Sequence, residues 1–279
     1  MKERVTLTIE KNILEKIDSR IDGSKVKNRS HAVELMLIKA LSSNRPRKAI
    51  ILAGGRGNRL GSIIETIPKP LIEVKGKPLL QWNIELLRSH GIKEIMISVG
   101  YMADKVKEYF GDGEKFGVKI FYTQDEFPLG TAGPIKKVKD FVTETTIVCN
   151  ADELKDIDLD EMYEYHKNNQ GLCTIALTTV DDPSAFGVAL LNGDKIVTFI
   201  EKPSRENAPS NLINAGLYFL EPALIKYIPD GFSQIEQDVF PKLAKEDKLY
   251  GYHFSGQWLP TDTPDKLEIA KEDWKGIKS

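Results

Sequence analysis

From Lys48 onward, short apolar runs alternate with amphipathic stretches, and this alternation commits the larger part of the chain to an α/β fold. An apolar run at 48–53 precedes a helical pattern over about 78–90. A strand pattern at 94–100, a helix at 103–110, a strand at 117–123 and a helix over about 131–141 follow, then the wholly apolar Thr146-Ile147-Val148-Cys149. Strands joined through helices pair in parallel, so a mostly parallel mixed sheet flanked by helices is expected. In such sheets ligands sit beyond the strand C-terminal ends. Further on, 186–191 and 195–200 read as a hairpin turning at Asn192-Gly193-Asp194.

The chain has 279 residues, enough for one large domain and a small one. No apolar run reaches membrane-span length, and Met-Lys-Glu-Arg-Val does not begin a signal peptide, so the cytoplasm is the expected location. Cys149 and Cys173 lie in apolar, strand-like runs and read as small core residues, not as a disulfide or zinc pair. Charge is uneven: residues 1–47 carry +5 and the remainder −7, a basic head on an acidic body.

The head, residues 1–44, reads as strand, helix, helix. Arg4 to Ile9 alternates, with Val5, Leu7 and Ile9 on one face and Arg4, Thr6 and Thr8 on the other. Ile13, Leu14, Ile17 and Ile21 have helical spacing, which Asp22-Gly23 breaks. A second helix is expected with Ser30 as N-cap and Ala32, Val33, Met36, Leu37, Ala40 and Leu41 on its apolar side. So small a module needs a partner chain to bury its core. It resembles the ribbon-helix-helix family along its whole length, including the Asn-Arg-Ser-x-Ala start of the second helix. That resemblance implies a homodimer and DNA binding: Arg4, Thr6 and Thr8 facing bases, and the Asn28–Ser30 turn, with Ser30, on phosphate. A linker at 45–47 leads to the body at 48–279.

The run Ala49-Ile50-Ile51-Leu52 ends in Ala53-Gly54-Gly55-Arg56-Gly57-Asn58-Arg59-Leu60. Glycines at a strand end let a ligand approach main-chain N–H groups, and two arginines bring positive charge to the same place. The loop matches neither the G-x-x-x-x-G-K-[ST] nor the G-x-G-x-x-G pattern. With Pro68-Lys69-Pro70 behind it, it resembles instead the signature of the sugar nucleotidyltransferases, with Asn58 in place of the usual Thr. The resemblance implies a Rossmann-like sheet of the nucleotide-diphospho-sugar transferase type. It also implies an Mg²⁺-dependent transfer of a nucleotidyl group from an NTP to a sugar 1-phosphate.

Residue roles follow from the same likeness. Arg59 and Lys69 are implied as catalytic cations, and Leu52, Ala53, Gly54, Gly55 and Gly57 as nucleotide contacts. Pro128 to Pro134 resembles the P-L-G-T-A-G segment of mannose-1-phosphate guanylyltransferases, which places Leu129, Gly130 and Thr131 along base and ribose; Thr131 also reads as a helix N-cap. Asn150-Ala151-Asp152 resembles the family's N-G-D, with Asp152 as metal ligand. Glu201-Lys202-Pro203, with Gly187 and with Asn214 of Asn214-Ala215-Gly216, resembles the sugar-phosphate site.

Near the C-terminus Trp258-Leu259-Pro260-Thr261-Asp262-Thr263 departs from W-x-D-x-G-T and resembles the glucose-1-phosphate cytidylyltransferase branch. The second metal ligand is therefore expected at Asp262. The Leu129–Pro134 segment leans to GTP with mannose 1-phosphate and Trp258–Thr263 to a cytidylyl donor, so base and sugar stay open. The competing expectation is a DNA-binding regulator whose body senses a nucleotide sugar.

Overall fold

The computed structural model describes residues 5–21, 23, 26–41, 45–125 and 127–278. Arg4, Asp22, residues 42–44 and the side chains of Ala40 and Leu41, all used in the sequence reading, lie outside the described residues. The chain divides into two compact units, Met1–Arg45 and Pro46–Ser279.

The small unit carries helices α1 (Lys11–Asp18) and α2 (Arg29–Leu41). They are joined by a bidentate ion pair, Arg29 Nε to Asp18 Oδ1 at 2.8 Å and Nη2 to Oδ2 at 2.6 Å. One correction arises here. Asn28, not Ser30, caps α2: its Oδ1 accepts the His31 amide at 2.9 Å, which leaves Ser30 inside the helix and exposed. The expected strand is not assigned as one: residues 5–10 lie outside any ladder, with Val5 71% and Leu7 57% exposed. A strand needs a neighbour to take its hydrogen bonds, and the described part of this unit offers none.

In the large unit the elements run β1 (Lys48–Ala53), α3 (Ile63–Thr66), β2 (Glu73–Val74), β3 (Lys77–Pro78), α4 (Leu79–Ser89), β4 (Glu94–Val99), α5 (Ala103–Phe110) and β5 (Lys119–Gln124). Next are α6 (Gly133–Lys137), β6 (Thr146–Asn150), β7 (Glu153–Lys155), α7 (Leu159–Asn169), β8 (Cys173–Thr179), β9 (Gly187–Asn192), β10 (Lys195–Glu201) and β11 (Leu212–Leu220). The chain closes with α8 (Phe240–Lys245), β12 (Leu249–His253), β13 (Trp258–Pro260) and α9 (Pro264–Asp273). A nine-stranded mixed sheet in the order β5-β4-β1-β6-β11-β8-β12-β10-β9 spans the described residues. The first four strands are parallel, β8 and β12 are parallel, and β11 and the β9–β10 hairpin supply the antiparallel pairs.

Alternation along β1 feeds two cores. Ala49, Ile51 and Ala53 face the layer built by α4, α5 and α7, while Ile50 faces the layer of α6 and α8. Cys149 and Cys173 are both buried in these layers, and burial pushes the Cys149 thiol up to about 11. A third cluster (Leu60, Ile64, Ile72, Leu79, Leu154, Leu267, Trp274) ties the segment after the glycine turn to β7 and α9. The helix expected over 131–141 is short: α6 stops at Lys137 and a 3₁₀ turn covers Lys139–Phe141.

β1 lies between β4 and β6, reached in opposite directions along the sheet, which makes its C-terminal end a topological switch point. Register brings the strand ends level: Leu52 beside Asn150, Ala53 beside Val99, and Val99 beside Gln124.

Candidate active site

Beyond those level ends opens a cavity of about 910 Å³. Leu52, Ala53, Gly54, Gly55, Gly57 and Arg59 line it, as do Lys69, Asp152 and Asp262. Leu129, Gly130 and Thr131 complete the predicted lining.

The three loop glycines do different work. Only Gly57 has a left-handed backbone, with φ 77°, and a Cβ there would sit 3.3 Å from Lys69 Cδ, so the loop folds over the lysine stem. At Gly54 the close neighbour is Gly100, whose own Cβ would meet the Gly54 carbonyl oxygen at 2.3 Å. Gly55 faces open space.

Lys69 begins a 3₁₀ turn between two prolines, which fix the backbone on both sides of it. Its side chain is 8% exposed and Nζ lies 2.6 Å from Asp152 Oδ2. Burial alone would raise the Asp152 carboxyl; the Lys69 ammonium and, behind it, Lys155 outweigh this and hold it below the usual carboxylate range. Arg59 is 61% exposed and places Nη1 2.7 Å from Asp262 Oδ2; Lys266 reaches Asp262 Oδ1 at 3.1 Å. Arg56 instead lies over the Tyr101 ring, 4.9 Å from its centroid.

The two aspartates come from distant segments. β13 pairs antiparallel with β7, setting Pro260 opposite Glu153, and Thr261 then binds the Asp152 carbonyl through N (3.2 Å) and Oγ1 (2.7 Å). Asp262, and not residue 260, therefore lines the cavity together with Asp152. Among the described residues no group of three or more His, Cys, Asp or Glu could hold a metal. Two carboxylates among the lining of the cavity fit Mg²⁺, which takes one or two carboxylates together with phosphate oxygens and water.

Thr131 does not cap α6, whose N-cap is Ala132. Its hydroxyl turns away to accept the Ile235 amide at 2.9 Å and to donate to Glu236 Oε2 at 2.5 Å. The loop is clamped further by Ser233 N to Leu129 O at 3.0 Å and Ala132 N to Ser233 O at 2.9 Å. Gly130, with φ 77°, is required there: a Cβ would lie 2.2 Å from Ser233 O.

Gly187, Glu201 and Asn214, on β9, β10 and β11, and Lys202, just past β10, do not line this cavity. Gly187 lies opposite Glu201, and a Cβ on it would meet Glu201 Oε2 at 2.8 Å. Lys202, in left-handed backbone at φ 48°, sets Nζ 3.1 Å from Glu201 Oε1. Asn214 is buried; Oδ1 accepts the Gly216 amide at 2.8 Å and Nδ2 donates to the Tyr218 hydroxyl at 3.1 Å. This shapes a bulge in β11.

The two groups are joined by Lys155, 1% exposed, which donates to the Gly216 and Asn150 carbonyls at 3.3 and 3.4 Å and pairs with Glu153 at 3.5 Å. Glu153 accepts from Trp258 Nε1 at 3.2 Å, and Trp258 packs edge-on against Phe186. Burial, with Asp152 adding to it, pushes the Glu153 carboxyl up against the pull of Lys155.

Sequence reasoning missed Gly100, Tyr101, Gln124, Asp125, Phe127, Phe232 and Gln234, all on the cavity wall. The first four lie at or just past the ends of β4 and β5, so the rule that located Gly54 and Asp152 reaches them too. Phe232 and Gln234 arrive from a loop about a hundred residues further on, with no local signal.

The nucleotidyl transferase family matches residues 48–275. The chain is 36% identical over 223 residues to the mannose-1-phosphate guanylyltransferase catalytic subunit beta of Danio rerio, covering 78% of this chain and 61% of that protein. It is 38% identical over 229 residues to a UTP--glucose-1-phosphate uridylyltransferase of Synechocystis, covering 76% and 59%. The chain thus spans about three fifths of the length of these curated relatives. A Bacillus anthracis crystal structure, described provisionally as a glucose-1-phosphate thymidylyltransferase in complex with a sucrose, superposes with TM-score 0.75 at 30% identity, covering 83% of this chain and 97% of that one.

Proposed function

The chain belongs to the nucleotidyl transferase family, and on that premise we propose that it joins an NTP to a sugar 1-phosphate, giving an NDP-sugar and pyrophosphate. The observation that carries this reading is one cavity, at the ends of parallel strands, that gathers a glycine turn, Arg59, Lys69 and two aspartates. The relatives' names support the same reaction class. A sensor needs affinity alone and has no use for groups that act on the transition state.

In the reaction a sugar phosphate oxygen attacks the α-phosphorus and pyrophosphate leaves. That oxygen is already anionic, so no base is needed; the obstacle is bringing two polyanions together. Arg59 and Lys69 neutralise the triphosphate as charge moves onto pyrophosphate. Lys202 binds the sugar phosphate and Glu201 a sugar hydroxyl, while Leu129, Gly130 and Thr131 flank the base. Asp152 and Asp262 are the residues that would hold Mg²⁺, which supplies further charge neutralisation when bound. GTP with mannose 1-phosphate is the favoured pair, and a cytoplasmic setting, where NTPs are available, goes with it. Pyrophosphate release across a grid of NTPs and sugar 1-phosphates tests the reading. Turnover of one pair supports it; none across the grid, from folded protein that binds nucleotide, refutes it.

For the small unit we propose a ribbon-helix-helix role: strand pairing between two copies through residues 5–9, with Arg4, Thr6, Thr8 and Ser30 toward DNA. The exposed apolar Val5 and Leu7 support pairing, since a second copy would bury them. Sedimentation of the full chain, and its gel shift with genomic fragments, test the two halves of this reading separately.

A further inference from the structure

Residues Ile235–Val239 form one π turn directly before α8. Such turns distort a helix by one residue and are frequent at functional sites, where a side chain must be aimed off the regular helical path. Here the side chain is that of Glu236. Thr131 Oγ1 accepts the Ile235 amide at 2.9 Å, so its single proton is free to go to Glu236 Oε2, 2.5 Å away. Thr131 belongs to the loop that walls the nucleotide cavity.

The same turn packs against β10, the strand that ends in Glu201. Glu201 and Lys202 both act on its charge, and Lys202 is itself held by Glu201 at 3.1 Å. Glu236 in turn acts on the buried hydroxyl of Tyr218, which receives Asn214 Nδ2. Glu236 is thus bonded to Thr131 of the cavity lining and sits on a turn packed against the strand that carries Glu201. Burial raises its pKa, the Thr131 hydrogen bond opposes this, and the like charge of Glu201 adds to it. A carboxyl so placed, with one oxygen taken by Thr131, has acceptor capacity left for a ligand hydroxyl.

We propose that Glu236 is a sugar-specificity residue: Thr131 fixes one carboxyl oxygen, and the other accepts a ring hydroxyl of a hexose 1-phosphate. The inference rests on the nucleotidyltransferase reading and deepens it. A site built to hydrogen-bond a hydroxyl rejects an epimer that leaves the buried group unpaired.

The test is steady-state kinetics of the full chain with glucose, mannose and galactose 1-phosphates, each pair differing in the orientation of one or two hydroxyls. Glu236→Ala should raise KM for the preferred sugar 1-phosphate by about tenfold or more and narrow the ranking among the three, with KM for the NTP within about twofold of wild type. Glu236→Gln keeps the shape and one acceptor oxygen and should fall between the two, with an unchanged melting temperature. Parallel increases in both KM values with the ranking intact, or no change at all in the Gln and Ala variants, overturn the proposal and leave Glu236 a structural residue. If wild type turns over no pair, the reaction reading falls on its own. Calorimetric binding of the three hexose 1-phosphates then decides: a ranking that is absent, or identical in wild type and Glu236→Gln, overturns the role of Glu236.

Discussion

Lys69 Nζ and Asp152 Oδ2 lie 2.6 Å apart, although 83 residues separate them in the chain. The contact exists because a proline-bracketed turn and a strand end are brought to the same edge of the sheet. The lysine stem is covered by Gly57 and buried, so its ammonium can point only into the cavity. Replacing it should therefore leave Asp152 uncompensated. For Lys69→Met we expect a loss of kcat of at least about a hundredfold, together with a lower melting temperature, both read on one preparation by pyrophosphate release and thermal unfolding.

Arg59 is the contrasting case. Its guanidinium is mostly exposed and its ion pair with Asp262 contributes little to stability. Arg59→Ala should lower kcat by more than about tenfold while the melting temperature stays where it was. Unaltered kcat in a folded variant removes Arg59 from the catalytic group.

Asp152→Asn and Asp262→Asn should each abolish Mn²⁺ binding measured by electron paramagnetic resonance in the presence of a non-hydrolysable NTP. Chelation of divalent ions should stop wild-type turnover, and added Mg²⁺ restore it. Retained Mn²⁺ affinity in Asp262→Asn would show that the displaced aspartate is not a ligand.

Gly100→Ala should destabilise by about 1–3 kcal/mol, because the new methyl meets the Gly54 carbonyl, and backbone cannot swing aside as a flexible side chain does. Gly55→Ala, facing open space, should change urea-unfolding stability by about 0.5 kcal/mol or less. Equal effects at the two positions would contradict this.

Glu221 predicts an acid dependence. It accepts from His166, Thr145 and Lys167, and these hydrogen bonds, His166 foremost, hold its carboxyl down to about 2 from the usual 4.5. A depressed carboxyl stabilises the folded state fully above the unfolded value and loses that contribution as pH falls toward the folded one. Between pH 4.5 and 2 wild type should lose its stability advantage over Glu221→Gln, as followed by denaturant unfolding at each pH. A difference that stays constant across the window refutes the assignment.

Much of the site was legible because it is local in sequence. β1 and its glycine turn, the Pro68-Lys69-Pro70 bracket and Asp152 at the end of an apolar strand each announce themselves within a few residues. What stayed hidden is whatever the fold assembles from afar. Thr131 resembles a cap, and only the arrival of Ile235 and Glu236, about a hundred residues later, gives its hydroxyl other partners. The π turn that aims Glu236 has no sequence period to betray it. In the small unit alternation marked residues 4–9 as strand, yet alternation reports which faces differ and says nothing about where the neighbouring strand is to be found.

Lys202 has consequences for anyone engineering heat resistance into this protein. Standard practice replaces a non-glycine residue in left-handed backbone with glycine, and at φ 48° that relief is worth about 1 kcal/mol. Here the swap would remove the ammonium held against Glu201, so a screen that scores melting temperature alone would discard the group proposed to bind the sugar phosphate. Tolerance of an awkward backbone at that position is itself a marker of what the side chain is for.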